Sequence, residues 1–205
     1  MKGIVFVMSG PSGAGKTSIL KEVLKCNKNL DFSVSYATRE RRPAEIDGKD
    51  YIFVTEAEFG KLLEENEFLE WAKVHGNYYG TSKNQVKKSV DSGTDILLDV
   101  DIQGAMSVMK ALKDAVYIFV APPSYGELIR RLESRGTENI ESLRMRLEDA
   151  KWELEQVKHF QYLVVNDNLN HSVSQFEAII TAERLRVDRI VNEKGERFLF
   201  EEKTR

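Results

Sequence analysis

The feature that most constrains the fold of this 205-residue chain is the octapeptide GPSGAGKT at residues 10–17. It follows a short run of β-branched and aromatic residues at positions 3–9, which is typical of a buried strand. It precedes an apolar stripe that predicts a helix beginning near Lys16. A strand, a glycine-rich turn and a helix in this order predict the first βα unit of a parallel sheet, with an anion-binding loop between strand and helix.

The octapeptide predicts a site for the phosphates of a nucleoside triphosphate. Its glycines allow backbone N–H groups to turn inward toward an anion, and the helix N-terminus adds partial positive charge. Lys16 can reach the β- and γ-phosphates, and the Thr17 hydroxyl can ligate Mg²⁺. A glycine-rich turn that matches by chance is the alternative, which the flanking strand and helix disfavour. The residues predicted to bind ATP here are Gly10, Ser12, Gly13, Ala14, Gly15, Lys16, Thr17 and Ser18.

The rest of the chain alternates between apolar strands and helices. Continuous apolar runs predict further buried strands at residues 95–101, 115–121 and 162–166. Helical patterns occur at residues 56–65, 83–91, 103–112, 125–133, 140–157 and 172–191. This alternation predicts an α/β fold in which a parallel β-sheet is flanked by helices.

Two stretches do not fit the simple alternation, residues 33–93 and residues 124–158. The first contains an arginine-rich loop and short β-like pieces, and the second is helical and rich in arginine. Both are predicted to be insertions on a core formed by residues 1–32, 94–123 and 159–205. Because 205 residues suit one compact domain, we predict a single domain over residues 1–205.

Composition and charge argue against several functional classes. The formal net charge of −3 argues against a protein that coats nucleic acid. The single cysteine, Cys26, excludes an intramolecular disulfide and fits a reducing compartment. The N-terminal apolar run is too short for a signal peptide, and no apolar run approaches the roughly 18 residues that span a bilayer. We therefore expect a cytoplasmic protein with no nucleic-acid, membrane or obligatory protein partner.

A second anion site is indicated by the segment SYATRERRP at residues 35–43. It concentrates three arginines in four positions, and arginine binds phosphate oxygens bidentately. A solvated basic loop explains this segment equally well by itself. Downstream tyrosines favour the anion site, because their hydroxyls can complete a phosphate cage and their rings can stack on a base. These tyrosines are Tyr51, Tyr78 and Tyr79.

Three carboxylates are candidates for contacts to a base or a metal ion. Glu70 could accept the guanine N1–H and N2 amino protons, which adenine lacks, but by itself it is more typical of a solvent-facing strand residue. Asp99 and Asp101 end a predicted strand, where ligands bind in parallel sheets. Either aspartate could orient Mg²⁺ through water or bind the acceptor, and ordinary loop capping is the alternative.

Residues 128–147 contain five arginines on two predicted helices. Arg131 and Arg135 are four positions apart, so they share one helix face. A two-helix flap carrying them could close over transferring phosphates, supply positive charge and exclude water. At least two of the five are expected to be surface charges paired with glutamates. The five are Arg130, Arg131, Arg135, Arg144 and Arg146.

Taken together, these motifs resemble the guanylate kinase family over essentially the whole chain. The matching segments are GPSGAGKT, SYATRERRP with GKDY, EFLEWAKVHGNYYGTS, LLDVDIQG and SRGTENIESLRMRL, in the family's order and spacing. The resemblance implies a P-loop NTPase core, a GMP-binding region at about residues 33–93 and a helical lid at about residues 124–158. It also implies the reaction ATP + GMP giving ADP + GDP with Mg²⁺. Because no residue of the sequence clearly recognises the ribose 2′-OH, dGMP is expected as a further acceptor.

The resemblance implies roles for individual residues. Guanine and its surroundings would be held by Ser35, Glu70, Thr81 and Asp99. The GMP phosphate would be gripped by Arg39, Arg42, Tyr51 and Tyr79. The transferring phosphoryl group would be stabilised by Lys16, Arg42, Arg135 and Arg146, with Arg131 in support. Asn166 and Asp167 would face the adenine side of ATP, and Arg41 receives no role.

Three other functions compete with a GMP kinase. A non-catalytic interaction module of the same family would typically have a damaged phosphate loop, whereas Lys16 and Thr17 are present here. A P-loop kinase for another acceptor, such as AMP or ribose 1,5-bisphosphate, is disfavoured by Glu70 with the GNYYG segment. A GTPase is disfavoured because no [NT]KxD guanine motif occurs in the sequence.

Overall fold

The computed structural model of the chain describes residues 2–74, 76–134 and 140–194. Its strands are β1 (Val5–Ser9), β2 (Leu30–Phe32), β3 (Tyr36–Ala37), β4 (Ile52–Phe53), β5 (Phe68–Val74), β6 (Asn77–Ser82), β7 (Asp95–Asp99), β8 (Val116–Ala121) and β9 (Tyr162–Val165). Its helices are α1 (Lys16–Cys26), α2 (Glu56–Glu64), α3 (Lys83–Asp91), α4 (Ile102–Ala111), α5 (Tyr125–Glu133), α6 (Ile140–Glu155), α7 (Leu169–Arg184) and α8 (Val187–Lys194).

Strand β1 lies at the centre of a five-stranded parallel sheet with the order β2-β7-β1-β8-β9. Its side chains alternate between two covered faces. Phe6 and Met8 pack in a cluster with α1 and α7, whereas Val7 packs in a second cluster with α3 and α4. All three are fully buried, and each such side chain contributes about 1.5–3 kcal/mol to stability. The predicted α/β class, with a parallel sheet flanked by helices, is confirmed.

A mixed four-stranded sheet with the order β4-β3-β6-β5 lies between α1 and α3 along the chain. β5 and β6 form an antiparallel hairpin in which Glu70 lies opposite Thr81. The ring of Phe59 on α2 stacks on Phe68 and Tyr78, with centroid distances of 4.5 and 5.5 Å. This aromatic layer fixes the hairpin against α2, so polar side chains on the hairpin are carried by a packed element.

Helix α5 packs against both the glycine-rich loop and α6. Leu128 and Leu132 of α5 are buried together with Ala150 of α6. A Cβ atom on Gly13 would lie 3.0 Å from Cδ1 of Leu128, so α5 rests directly on the loop. Side chains that project from α5 are therefore held in a defined position relative to the loop.

Several predicted element boundaries are wrong. The single helix predicted at residues 172–191 is two helices, α7 and α8, and no glycine or proline marks the break between them. The strand predicted at residues 95–101 ends at Asp99, because Asp101 is the N-cap of α4. The helix predicted at residues 140–157 ends at Glu155 and continues as a 3₁₀ turn. The three-residue strand β2 was not predicted, since so short a run carries little periodicity.

Candidate active site

The octapeptide at residues 10–17, called the phosphate loop below, connects β1 to α1 at the carboxyl edge of the central sheet. Gly10 and Gly15 have φ angles of 148° and 91°, which side-chain-bearing residues rarely adopt. A Cβ atom on Gly10 would overlap the Val120 carbonyl oxygen, and one on Gly15 would overlap the Asn166 amide nitrogen. Both positions therefore require glycine for the neighbouring elements to approach the loop.

Two side chains from outside the phosphate loop, Asn166 and Arg131, hold its backbone through hydrogen bonds. Asn166 is buried, and its Nδ2 donates to the Ala14 carbonyl oxygen at 2.8 Å. Arg131 of α5 donates to the same carbonyl at 3.4 Å and to the Asn166 carbonyl at 3.0 Å, while Glu127 binds its Nε. Asn166 thus faces the loop backbone, whereas Asp167 beside it is exposed and accepts the N–H of the next residue.

The phosphate loop carries one cation and an uncapped helix N-terminus. Lys16 Nζ donates to the Gly10 carbonyl oxygen at 2.5 Å, so its ammonium group lies over the loop. Helix α1 follows Gly15, which makes no side-chain capping hydrogen bond, and Thr17 and Ser18 are exposed. Unpaired N–H groups at a helix N-terminus, together with the helix dipole, favour an anion.

Asp99, the last residue of β7, lies opposite Met8 of β1, close to the start of the phosphate loop. Burial raises the pKa of its carboxyl group, and Lys16 partly opposes this rise. Burial also raises the pKa of Tyr51, and the Asp99 charge adds to that effect. The Asp99 carboxyl group is therefore within electrostatic range of both Lys16 and Tyr51. Asp101 instead caps α4, accepting the Gly104 N–H at 2.6 Å, so the capping alternative holds for this residue.

Glu70 is buried, so its interpretation as a solvent-facing strand residue is wrong. It is 7% exposed, and its Oε1 accepts the Thr81 hydroxyl proton at 2.5 Å across the β5–β6 hairpin. Burial raises the pKa of Glu70 to about 7, which the Thr81 bond partly offsets. A Cβ on Gly104 would lie 2.7 Å from Oε2, so this glycine makes room for the carboxylate. The sequence signal for Gly104 was a glycine inside a helical pattern. Ser35, also buried, precedes β3 in the same sheet.

The arginine–tyrosine cluster consists of Arg39, Arg42, Tyr51 and Tyr79. The Arg39 guanidinium lies 4.8 Å from the Tyr51 ring centre, and the Tyr51 and Tyr79 rings are 6.0 Å apart. Glu45 holds Arg39 through two hydrogen bonds of 2.7 and 2.5 Å and accepts the Arg42 N–H at 2.9 Å. Arg42 itself is exposed. Sequence reasoning missed Glu45, because its position two residues beyond a proline carries no motif of its own.

The arginines of the predicted lid have different surroundings. Arg130 forms two hydrogen bonds with Glu127 on the exposed face of α5, as expected of a surface charge. Arg131 faces the phosphate loop. Arg135 lies outside the described residues, as does the side chain of Arg144. The prediction that Arg131 and Arg135 share one helix face therefore stays a prediction.

A cleft of ≈ 140 Å³ separates the phosphate loop and α4 from helix α6. Arg146 lines it together with Ser12, Asp101 and Glu153. Burial raises the pKa of Glu153 to about 7, while Lys16 and a hydrogen bond from the Ser12 N–H oppose the rise. Charged groups of α6 therefore face the phosphate loop across this cleft. Sequence reasoning missed Glu153, which is one of many glutamates in its helix.

An open parallel sheet with a glycine-rich phosphate loop after its central strand defines the P-loop class of nucleotide-binding proteins. Within that class, the sequence model of one family, described as "Guanylate kinase", matches residues 2–183. The chain belongs to the guanylate kinase family. The resemblance inferred from its motifs is thereby confirmed.

Individual relatives agree with this assignment along nearly the whole chain. A guanylate kinase of Thermotoga maritima is 53% identical over 203 residues, covering 99% of this chain and 98% of the relative. A guanylate kinase of Clostridium tetani is 48% identical over 189 residues, covering 92% and 90%. The crystal structure of guanylate kinase from Anaplasma phagocytophilum is similar with a TM-score of 0.77 and 32% identity, covering 92% of this chain and 89% of that chain.

Proposed function

We propose that this chain is an enzyme that transfers the γ-phosphoryl group of ATP to GMP, forming ADP and GDP. The observation that carries the proposal is the position of Asp99. Asp99 ends β7 opposite Met8 of β1, the strand that leads into the phosphate loop, and its carboxyl group is within electrostatic range of Lys16 and of Tyr51 in the arginine–tyrosine cluster. Two anion sites that lie near the same residue suit direct transfer between two bound nucleotides, because transfer requires donor and acceptor within near-attack distance.

In the proposed donor site, the phosphate loop binds the ATP phosphates through residues 10–18. Backbone N–H groups and the N-terminus of α1 would stabilise the negative charge. Lys16 would exchange its bond to the Gly10 carbonyl for a bond to a phosphate oxygen. Asn166 would act by holding the loop, whereas the exposed Asp167 is the better candidate for the adenine side.

In the proposed acceptor site, Glu70 reads the guanine base. Its carboxylate can accept the N1–H and one N2 proton, and Thr81 fixes one of its oxygens. Ser35 and Asp99 would complete the surroundings of the base. The GMP phosphate would bind to Arg39, Arg42, Tyr51 and Tyr79, which supply guanidinium and hydroxyl donors.

During transfer, positive charge from several elements would stabilise the phosphoryl group. Lys16 and Arg42 approach it from the donor and acceptor sides, and Arg146 faces it across the cleft from α6. Arg131 supports the loop through its bonds to Ala14 and Asn166. Arg135 is retained in this proposal on the resemblance alone. Loss of any donor aimed at developing charge typically lowers kcat by about 10²–10³.

The donor groups at the phosphate loop suit Mg²⁺, which prefers hard oxygen ligands. The Thr17 hydroxyl is exposed at the start of α1, and the Asp99 carboxylate lies within electrostatic reach of Lys16. Thr17 would bind the ion directly, and Asp99 or the second carboxylate oxygen of Asp101 would hold it through water, the first oxygen of Asp101 being the cap of α4. When bound, Mg²⁺ neutralises charge on the β- and γ-phosphates.

The test is an assay of ADP release with ATP, Mg²⁺ and each of GMP, dGMP, AMP, CMP and UMP. We expect turnover with GMP to exceed that with AMP, CMP and UMP by far. Equal turnover with all acceptors would overturn the assignment of GMP, and no turnover with any would favour the non-catalytic interaction module.

The cellular location of the protein and its binding partners stay predictions from the sequence. No helix in the described ranges is both long and apolar enough to cross a membrane. The cytoplasmic location and the lack of nucleic-acid or membrane binding rest only on the composition, the charge and the length of apolar runs in the sequence, and no obligatory protein partner is evident from it. The proposed partners are the small-molecule substrates ATP and GMP.

A further inference from the structure

The guanidinium of Arg39 uses only part of its hydrogen-bonding capacity within the described residues. Nη1 donates to Glu45 Oε2 at 2.7 Å and to the Glu40 carbonyl oxygen at 2.9 Å, and Nη2 donates to Glu45 Oε1 at 2.5 Å. None of these bonds uses Nε, and the Tyr51 hydroxyl is a further polar group that interacts with the guanidinium. Because guanidinium has five N–H donors in one plane, Nε and the second Nη2 hydrogen form a parallel fork along one edge. Such a fork matches two oxygens of a phosphate.

Three neighbours determine which edge of Arg39 stays open. Glu45 occupies the end formed by Nη1 and Nη2, and the rings of Tyr51 and Phe53 lie 4.8 and 5.4 Å from the guanidinium carbon. The Arg39 and Glu45 side chains are only 13% and 17% exposed. A guanidinium this buried requires a partner for its charge, and without one it would turn toward water. Glu45 therefore fixes the direction in which the free edge points.

Glu45 also fixes the turn that carries Arg42. Its Oε2 accepts the Arg42 N–H at 2.9 Å, and its own N–H donates to the Arg42 carbonyl oxygen at 3.0 Å. One carboxylate thus orients the guanidinium of Arg39 and the backbone of Arg42. The hydrogen bond from Arg39 lowers the pKa of Glu45, which keeps the carboxylate charged through neutral pH.

We propose that Glu45 is a positioning residue for the acceptor's phosphate. It holds Arg39 by one end, so that the edge formed by Nε and Nη2 is presented to the GMP phosphate, and it shapes the turn that presents Arg42. This inference rests on the proposed function. In the alternative role, the Glu45 carboxylate occupies the place on Arg39 that the GMP phosphate would take. GMP would then have to displace Glu45 from Arg39.

The test compares Glu45→Gln with Glu40→Gln, a matched exposed position whose side chain makes no contact to Arg39. For Glu45→Gln we expect the KM for GMP to rise about 10- to 100-fold, as for loss of a hydrogen bond between charged groups. The KM for ATP and kcat should change less than about threefold, and Glu40→Gln should match the unmodified enzyme. An unchanged KM for GMP in Glu45→Gln would overturn the proposal. A lowered KM for GMP would also overturn it and would indicate that GMP has to displace Glu45 from Arg39.

Guanosine, which lacks the phosphate, separates positioning from a general structural role. Its inhibition constant should be the same in Glu45→Gln as in the unmodified enzyme, and a comparable weakening of guanosine and GMP would overturn the proposal. If Glu45→Gln does not fold, Glu45→Asp provides the same test, because it keeps the charge but cannot reach both nitrogens. Failure of the unmodified enzyme to phosphorylate GMP would reject the proposed function itself, independently of Glu45.

Discussion

The phosphate loop and the arginine–tyrosine cluster are both proposed to bind phosphate, but they are built from different chemical groups. The loop offers backbone N–H groups and a helix N-terminus, with Lys16 as its only charged side chain. The arginine–tyrosine cluster offers side chains that are held by other side chains, above all Arg39 by Glu45. A backbone site depends on how closely neighbouring elements approach it, whereas a side-chain site depends on its hydrogen-bonding partners.

This difference has a consequence for specificity. A phosphate loop grips a group that all nucleoside triphosphates share, so it cannot distinguish one acceptor from another. The second sheet carries the groups that can distinguish them, because Glu70 and its partner Thr81 are aligned across the β5–β6 hairpin. Substitutions in the loop should therefore lower all activity, while substitutions in the second sheet should change acceptor choice and affinity.

The largest expected effect is that of Lys16→Met. Removing the ammonium group should lower kcat by about 10²–10³, as for loss of one donor to developing charge. Thermal unfolding should be little changed, since the hydrogen bonds that Lys16 makes to described residues go to loop carbonyls. Lys21→Met on the exposed side of α1 is the control and should be fully active. Near-normal kcat in Lys16→Met would remove Lys16 from the mechanism.

A glycine-to-alanine change should have opposite effects on the free energy of unfolding in the phosphate loop and in α2. Gly15→Ala should lower the free energy of unfolding by about 1–3 kcal/mol, because alanine is strained at positive φ and its Cβ would meet Asn166. It should also raise the KM for ATP. Gly60→Ala in α2, where the added Cβ meets no neighbour within 4 Å, should raise stability by about 0.5–1 kcal/mol. Urea denaturation measures both, and equal values would contradict the glycine requirement of the loop.

Glu70→Ala should reduce discrimination between GMP and AMP. A hydrogen bond to a charged group contributes about 1.5–3 kcal/mol, so the ratio of kcat/KM for the two acceptors should fall by at least about tenfold. The control is Glu64→Ala, an exposed position at the end of α2. A change below about threefold would argue against base recognition by Glu70.

The raised pKa of Glu70 predicts a pH dependence of the acceptor site. Only the ionised carboxylate accepts both guanine protons, so kcat/KM for GMP should fall as pH drops through about 7. Between pH 8 and pH 6 the fall should be about tenfold, because kcat/KM follows the ionisation of the free enzyme. The Glu70→Gln enzyme lacks this titrating carboxyl group. Its pH profile therefore gives the contribution that comes from protonation of the GMP phosphate. Parallel pH profiles for the two enzymes would contradict the prediction.

The smallest effect is expected for Arg41→Ala. Arg41 is exposed, and its one hydrogen bond in the described structure is a 3.3 Å contact to the Glu45 carbonyl oxygen. The KM for GMP should change less than about twofold, as is usual for exposed charges. Arg42→Ala, in the adjacent position, should raise it about tenfold or more. If the two substitutions had equal effects, the arginine–tyrosine cluster would have to include Arg41.

Local patterns were enough to predict most of the fold. The bounds of α3 and α5 match their predictions, and β1 and the phosphate loop lie where the octapeptide indicated. These elements carry strong periodicity and N-cap residues such as Ser82 and Ser124, which act within one turn. The break between α7 and α8 was missed, because the residues at the break, Leu185 and Arg186, are not of a type that usually ends a helix.

The site was predicted as a set of residues but not as a set of contacts. The burial of Glu70, the room that Gly104 leaves for it and the hold of Glu45 on Arg39 each join positions that no motif connects. Asn166 is a similar case, since its amide supports a loop 152 positions earlier in the chain. Such pairings depend on how separate elements pack, and a linear pattern carries no distance between them.

The sequence by itself therefore determined the class of fold, the phosphate loop and the chemical types of the candidate groups. Those properties follow from short-range rules, because strand and helix periodicity, glycine conformations and charged side chains act within a few residues. Only the tertiary structure decided that Glu70 is buried beside Thr81, that Asp99 lies within electrostatic range of both Lys16 and Tyr51, and that Glu45 holds one end of the Arg39 guanidinium. The physical reason is that burial and pairing are set by neighbours brought together across both sheets, which change the pKa and direction of a side chain without changing its identity.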